Sequence, residues 1–377
     1  MAGPQYTHFG RYRIVSELAS GGMATVYRAA LTGDSGFETT VALKVMHAHL
    51  ARDEHHRRMF EDEARTGALL RHRGIIRTLD YGQEQSLPYI ATELLEGRTL
   101  ADALAPPRRR LPPDLAAWIL CEMLDALAYA HALEDTDGRP LGIVHRDVSP
   151  QNLFLGRDGR VTLIDFGIAL RQGRLERTRT GLVKGKFRYM APEQASGEAM
   201  DGRTDIYSLA LVVAAAISGK KPFADAGDTR EMILRAQEGF TPPPALLRRV
   251  PAPFADLLSR MLARAPGDRP TALDALEEAQ AVLGSEFPEA GPRALAEWLA
   301  APADAAPRTA TAAPEAPAAS PRTPRKAPPA VDAPRPRRSP PPRPPAPSEP
   351  GVAPAWIFGG LAALFLLAML WSSLGGA

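Results

Sequence analysis

The sequence predicts an α+β chain with its strands first and its helices after, on three observations. Runs of strand character, Tyr12–Leu18, Thr25–Ala30 and Tyr89–Leu95, all fall before residue 96. Later apolar residues keep helical company, as in Trp118-Ile119-Leu120-Cys121-Glu122-Met123-Leu124. After about Pro302 the composition shifts to Pro, Ala and Arg, with Pro340-Pro341-Pro342-Arg343-Pro344-Pro345 as its densest run, and an uncharged stretch follows.

The most informative motif is His145-Arg146-Asp147-Val148-Ser149-Pro150-Gln151-Asn152. Asp165-Phe166-Gly167 begins eighteen residues after its aspartate, and Ala191-Pro192-Glu193 comes later. Moving a phosphoryl group from ATP needs an acid side chain to orient the attacking hydroxyl, and an amide plus a carboxylate to hold magnesium against the phosphates. Asp147, Asn152 and Asp165 fit those three roles, with Asn152 and Asp165 as the metal pair. With Val41-Ala42-Leu43-Lys44 and Glu63 upstream, the order and spacing resemble the bacterial eukaryotic-type (Hanks-type) serine/threonine protein kinases over about residues 10–285. The resemblance implies a two-lobed protein kinase fold: a small β-sheet lobe with one helix at about 10–95, then a larger, mainly helical lobe at about 96–285. It also implies ATP with Mg2+ or Mn2+ as cofactors, and serine or threonine hydroxyls of protein substrates as acceptors.

Taken in order, the first two strands flank Ala19-Ser20-Gly21-Gly22-Met23-Ala24. In the kinase pattern Gly-x-Gly-x-x-Gly, glycines let backbone amides approach the phosphates without a Cβ in the way. Only Gly21 matches; Ala19 and Ala24 take the outer positions, and Gly22 restores some flexibility. By resemblance Leu18, Val26 and Ala42 belong to the cofactor-binding set, Lys44 neutralises the α and β phosphates, and Glu63 holds Lys44 in an ion pair. Gly67, one turn on, lowers helix propensity by about 1 kcal/mol relative to Ala, so a mobile helix is expected there. Tyr89–Leu95 leads to a hinge in which Thr92 is the gatekeeper and Glu93 and Leu95 offer backbone atoms to the adenine; Leu153 completes the cofactor set. Arg146 marks the type of kinase whose activation loop is switched by phosphorylation, with Thr178 and Thr180 as candidate phosphosites in a loop carrying Arg171, Arg174, Arg177, Arg179 and Lys184. Asp205 resembles the carboxylate that holds the catalytic-loop backbone from the start of a buried helix. Arg269 resembles the partner of Glu193 in a buried ion pair.

Two positions depart from the family pattern. Ser149 stands where a lysine usually contacts the transferring phosphate, and Lys186 stands where a threonine usually bonds to that lysine. On one reading the two groups have exchanged places, and Lys186 supplies the charge with Ser149 as its hydrogen-bond partner, both joining the catalytic set. On the other, Lys186 points to solvent and phosphate stabilisation is weaker. A pseudokinase, a membrane-tethered binding or scaffold module, is the alternative that Ser149 and the depleted glycine loop favour. The retained Lys44, Glu63, Asp147, Asn152 and Asp165 oppose it. The complete loop from Asp165 to Glu193, of a kind built to hold a peptide, opposes a small-molecule kinase.

A chain of 377 residues has room for a sizeable core, and a net charge of +2 gives no electrostatic case for nucleic acid. Cys121, the single cysteine, permits no intrachain disulfide and reads as a packed small hydrophobe. Residues 286–301 are a candidate extra helix of the large lobe or the start of the linker. Residues 302–354 read as a disordered, partly polyproline linker of about 40 Å as a coil. Trp356–Leu374, nineteen uncharged residues within the segment 355–374, would cover about 28 Å as a helix with Trp near both ends, as a single membrane span does. Arg335, Arg337, Arg338 and Arg343 precede it, so the positive-inside bias expects a single-pass inner-membrane protein with a cytoplasmic kinase part and almost nothing outside. Tethering in two dimensions favours trans-autophosphorylation within a homodimer.

Overall fold

The structure is a computed structural model that describes residues 7–32, 36–105, 110–166 and 187–301. Strands β1 (His8–Phe9), β2 (Tyr12–Ser20), β3 (Ala24–Thr32) and β4 (Glu38–Met46) run antiparallel in sequence order. Helix α1 (Glu54–Leu69) follows, and β5 (Thr78–Glu84) and β6 (Leu87–Glu93) complete a six-stranded sheet ordered β1-β2-β3-β4-β6-β5. The period of two along β4 sorts its side chains. Val41, Leu43 and Val45 pack with Phe9, Tyr12, Ile14 and Tyr27 on one side. Met46 belongs to the opposite set, with Phe60 and Ala64 of α1, so Ala42 and Lys44 are left facing the side on which α1 lies. Asp53 caps α1, its carboxylate accepting from the amides of His55 at 2.8 Å and His56 at 3.2 Å.

Two strand boundaries differ from expectation. The turn between β2 and β3 shrinks to Gly21–Met23, because Ala19 and Ser20 pair with Val26 and Thr25 and the Gly21 amide donates to Ala24 O at 3.0 Å. Strand β6 stops at Glu93, opposite Val41, which leaves Leu94 and Leu95 outside the strand.

The large lobe opens with β7 (Gly97–Thr99) and α2 (Leu100–Ala103), then α3 (Pro113–His131), β8 (Leu153–Gly156) and β9 (Val161–Leu163); β7, β8 and β9 form a small sheet. Helices α4 (Pro192–Ser196), α5 (Gly202–Ser218), α6 (Thr229–Glu238), α7 (Pro244–Leu247), α8 (Ala252–Met261), α9 (Ala272–Glu286) and α10 (Pro292–Ala300) follow. Helices α3 and α5 are apolar nearly all round and therefore form the centre of the core. Leu295 and Trp298 of α10 are buried in that same core, and Cys121 is buried in it with its thiol pushed up to about 12 by burial. The β8–β9 turn touches the start of α10 at Gly159 (φ 80°), where a Cβ would overlap the Pro292 carbonyl. The lobes are joined by main-chain bonds from Ile76 N to Leu163 O (3.0 Å) and from Leu163 N to Gly74 O (2.8 Å). Among the described residues no helix is long and apolar enough to cross a membrane, and the apolar stretch 356–374 lies outside them.

Candidate active site

Lys44 reaches across from β4 to both carboxylates expected near it. Its Nζ lies 2.5 Å from Glu63 Oε1 of α1 and 3.0 Å from Asp165 Oδ1. Burial alone would lower the ammonium's pKa, but Asp165 and Glu63 more than offset it, so the group is held above its ordinary value and charged. Asp165 adopts a left-handed backbone (φ 53°), as does Arg146 (φ 67°); such conformations are uncommon outside glycine and cluster at functional sites.

The segment 145–152 is suspended from α5. Asp205, fully buried in the first turn, accepts from the amides of Arg146 and His145 at 2.8 Å each, and its Oδ2 lies 2.8 Å from His131 Nε2. Burial pushes this carboxyl up, but His131, His145 and the His145 amide pull it further down, to a net value below the usual carboxylate range. The Asp147 amide donates to His145 Nδ1 at 3.2 Å, while Asn152 Nδ2 donates to the Asp147 carbonyl at 2.8 Å. Gln194 Nε2 donates to the Arg146 carbonyl at 2.8 Å. Ser149 is buried, and its carbonyl accepts from the Asn152 amide at 2.9 Å.

His145 is assigned a neutral tautomer by its neighbours: Nδ1 accepts from Asp147, so Nε2 carries the proton toward Ile164 O at 3.3 Å. Burial keeps its pKa below the ordinary histidine value, and His72 is lowered for the same first reason. With folded values below the unfolded value of about 6.5, the unfolded chain binds more protons once pH falls through that region. The melting temperature is expected to be flat between pH 7 and 8 and to fall from pH 6.5 to 5.5; a rise on acidification would contradict this account.

Between the lobes lies a cleft of about 530 Å³. Of the expected cofactor residues, Leu18, Val26, Ala42, Lys44, Glu63, Thr92, Glu93 and Leu95 line it, together with Asn152 and Asp165. Gly21 and Gly22 sit in the β2–β3 turn and are not among the lining residues; Ala19 is. Leu153 corrects a sequence expectation. It is fully buried in the large-lobe core, and Phe154 lines the cleft in its place. Successive side chains on β8 point to opposite faces, and Leu153 and Leu155 share the buried one. Lys186, Thr178 and Thr180 lie outside the described residues. Sequence reasoning also passed over Arg98 and Asp102 at the cleft, which belong to no motif.

Gly67 has a packing role that its low propensity concealed. A Cβ there would clash with Thr78 Oγ1 on β5, so the glycine lets α1 lie against the sheet. Gly67→Ala is expected to destabilise by about 1–3 kcal/mol in the native background, as overpacking does. In a Thr78→Ala background the same change should cost nothing or stabilise, since only the propensity gain of about 1 kcal/mol remains. Equal effects in both backgrounds, measured by urea denaturation, would remove Thr78 from the explanation.

The family model described as "Protein kinase domain" matches residues 12–280. The chain is 38% identical over 281 residues to the tyrosine-protein kinase MasK of Myxococcus xanthus (strain DK1622), covering 73% of this chain and 44% of that protein. It is 35% identical over 261 residues to the serine/threonine-protein kinase PknL of Mycobacterium tuberculosis (strain ATCC 25618 / H37Rv), covering 69% and 62%. The crystal structure of the Mycobacterium tuberculosis PknI kinase domain superimposes with a TM-score of 0.54 at 29% identity, covering 74% of this chain and 99% of that one. The chain thus spans about half the length of the curated relatives it matches.

Proposed function

The chain belongs to the protein kinase family, and from that premise we propose that it is an ATP-dependent protein kinase that transfers a γ-phosphoryl group to serine or threonine hydroxyls of proteins. The observation that carries this reading is the joining of Lys44, Glu63 and Asp165 across the cleft beside a 145–152 loop anchored on Asp205. Lys44, charged and held by two carboxylates, is placed to receive phosphates. Asp147 would orient the acceptor hydroxyl and take its proton. Asn152 and Asp165, which both line the cleft, fit a divalent cation of the Mg2+ type: the Asn152 side-chain nitrogen is used on Asp147 O, which leaves its oxygen to serve as an uncharged ligand together with the Asp165 carboxylate. Among the described residues no three His, Cys, Asp or Glu side chains converge as a metal cage, so phosphate oxygens and water would complete the shell. Such an ion neutralises charge on the phosphates as they transfer.

The relatives named serine/threonine-protein kinases support the acceptor class, while one relative is named a tyrosine-protein kinase. The exchange of Ser149 and Lys186 belongs to the same proposal, with Lys186 supplying the charge that position 149 lacks; an unchanged turnover in Lys186→Thr would refute it. Anchoring through residues 356–374, with autophosphorylation of Thr178 or Thr180 between neighbours, completes the reading. The test is intact-mass analysis of the full chain after incubation with MgATP, followed by phosphoamino-acid analysis. Added phosphate on serine or threonine supports it. Phosphotyrosine alone would reassign the acceptor, and no transfer to self or to a generic protein substrate would leave a binding module.

A further inference from the structure

Behind the hinge, on a wall separate from the nucleotide cleft, lies a second hollow of about 460 Å³. Its lining is basic: Arg71, Arg73 and Arg77 come from the segment after α1, and Arg160 comes from the β8–β9 turn. His72 also lines it, kept below its ordinary pKa chiefly by burial. The one carboxylate in the lining is Glu93, and its Oε1 is occupied by the Arg77 amide at 2.8 Å. Two of the four arginines are neutralised nearby. Arg73 bridges Glu122 and Asp125 at 3.0 and 3.2 Å, and Arg160 lies 3.2 Å from Asp158. Arg71 and Arg77 have no carboxylate within ion-pair distance among the described residues. Four guanidinium groups against the single carboxylate of Glu93 in the lining, two of them outside any ion pair among the described residues, offer charge and paired N–H donors to a compact anion.

We propose that this hollow binds a small, multiply charged phosphate anion, of which inorganic pyrophosphate is the simplest form. The bound anion would join the small lobe, through Arg71 and Arg77, to the large lobe, through Arg160. Glu93, which also lines the nucleotide cleft on the other side of the hinge, bounds the hollow, and the anion would sit on the arginine side, away from its carboxylate. Charge and cavity size favour a free phosphate compound over a long acidic peptide. The site does not rest on the kinase reading, because binding is read directly and without turnover.

The test titrates sodium pyrophosphate, without magnesium, into the full chain in an isothermal calorimeter. The comparison set is the native chain, Arg71→Ala/Arg77→Ala and Lys44→Met. Both arginines are exposed, so the double variant is expected to keep its fold, and circular dichroism checks this; Arg77→Glu serves as a second variant. Affinity should fall at least tenfold in the arginine variants and stay unchanged in Lys44→Met. Loss in Lys44→Met with retention in the arginine variants would place the anion in the nucleotide cleft and overturn the proposal. So would absence of binding to the native chain, affinity indifferent to Arg71 and Arg77, or an equal response to sulfate at matched ionic strength.

Discussion

Asp147→Asn is expected to lose phosphoryl transfer by about 10²- to 10⁴-fold, the usual contribution of a positioned acid–base group, while folding and binding nucleotide normally. The separation is expected because two contacts that shape the loop at this residue use main-chain atoms. Its amide donates to His145 Nδ1, and its carbonyl accepts from Asn152. An asparagine keeps both. What it lacks is the ability to take a proton from a hydroxyl. Intact-mass analysis with MgATP should show added phosphate on the native chain and none on the variant over the same time, with matched melting temperatures and matched nucleotide-induced stabilisation. Equal transfer rates in the two proteins would take Asp147 out of the chemistry, and a large fall in melting temperature would make its role structural.

Arg269→Ala should be among the most destabilising substitutions in the chain. The Arg269 and Glu193 side chains are 0% and 1% exposed and form two parallel bonds of 2.8 Å. The remaining donors are all used: Nε on Ala263 O at 2.7 Å, Nη1 on Arg203 O at 3.1 Å and Nη2 on Arg264 O at 2.8 Å. The guanidinium also lies 4.6 Å from the centre of the Tyr207 ring. Removing it takes a donor from three carbonyls and leaves Glu193 buried, with the Thr204 hydroxyl at 2.8 Å as a neutral donor. One-sided loss of such a pair costs about 3–5 kcal/mol. Arg269→Lys should recover little, since an ammonium cannot reproduce the planar fork. Arg269→Met/Glu193→Leu should recover much of the loss because no buried charge remains. Urea midpoints with an unchanged slope read all three. A double variant no better than Arg269→Ala would show that the carbonyl contacts, and not the stranded carboxylate, carry the cost.

Part of this was legible in the chain because its signals are local. The strand character of Tyr12–Leu18, the apolar run Val41-Ala42-Leu43 before Lys44 and the order of the motifs at 145–152, 165–167 and 191–193 depend on neighbours in sequence. Leu153 shows where local reading stops. A strand alternates its faces, so either Leu153 or Phe154 could have met the cleft, and only the pairing of β8 with β9 and the packing of its buried face decide which does.

Gly67 shows a second limit of local reading. Propensity alone leads to the expectation of a mobile helix, and nothing local in the sequence reveals that a Cβ at this position would meet Thr78. Propensity describes an isolated helix, and close approach is set by the strand it meets.

By itself, then, the sequence determined the family, the order of strands before helices, and which side chains have the chemistry: an ammonium at 44, carboxylates at 63, 147 and 165, an amide at 152. Only the tertiary structure decided that Asp205 holds two loop amides some 60 residues away, that all five Arg269 donors are spent, and that arginines from two lobes line one hollow behind the hinge. The physical reason is that residue type is written locally, while a partner across a large sequence separation is chosen by how packed elements register in space. Satisfying a buried charge depends on that register to within a few tenths of an ångström.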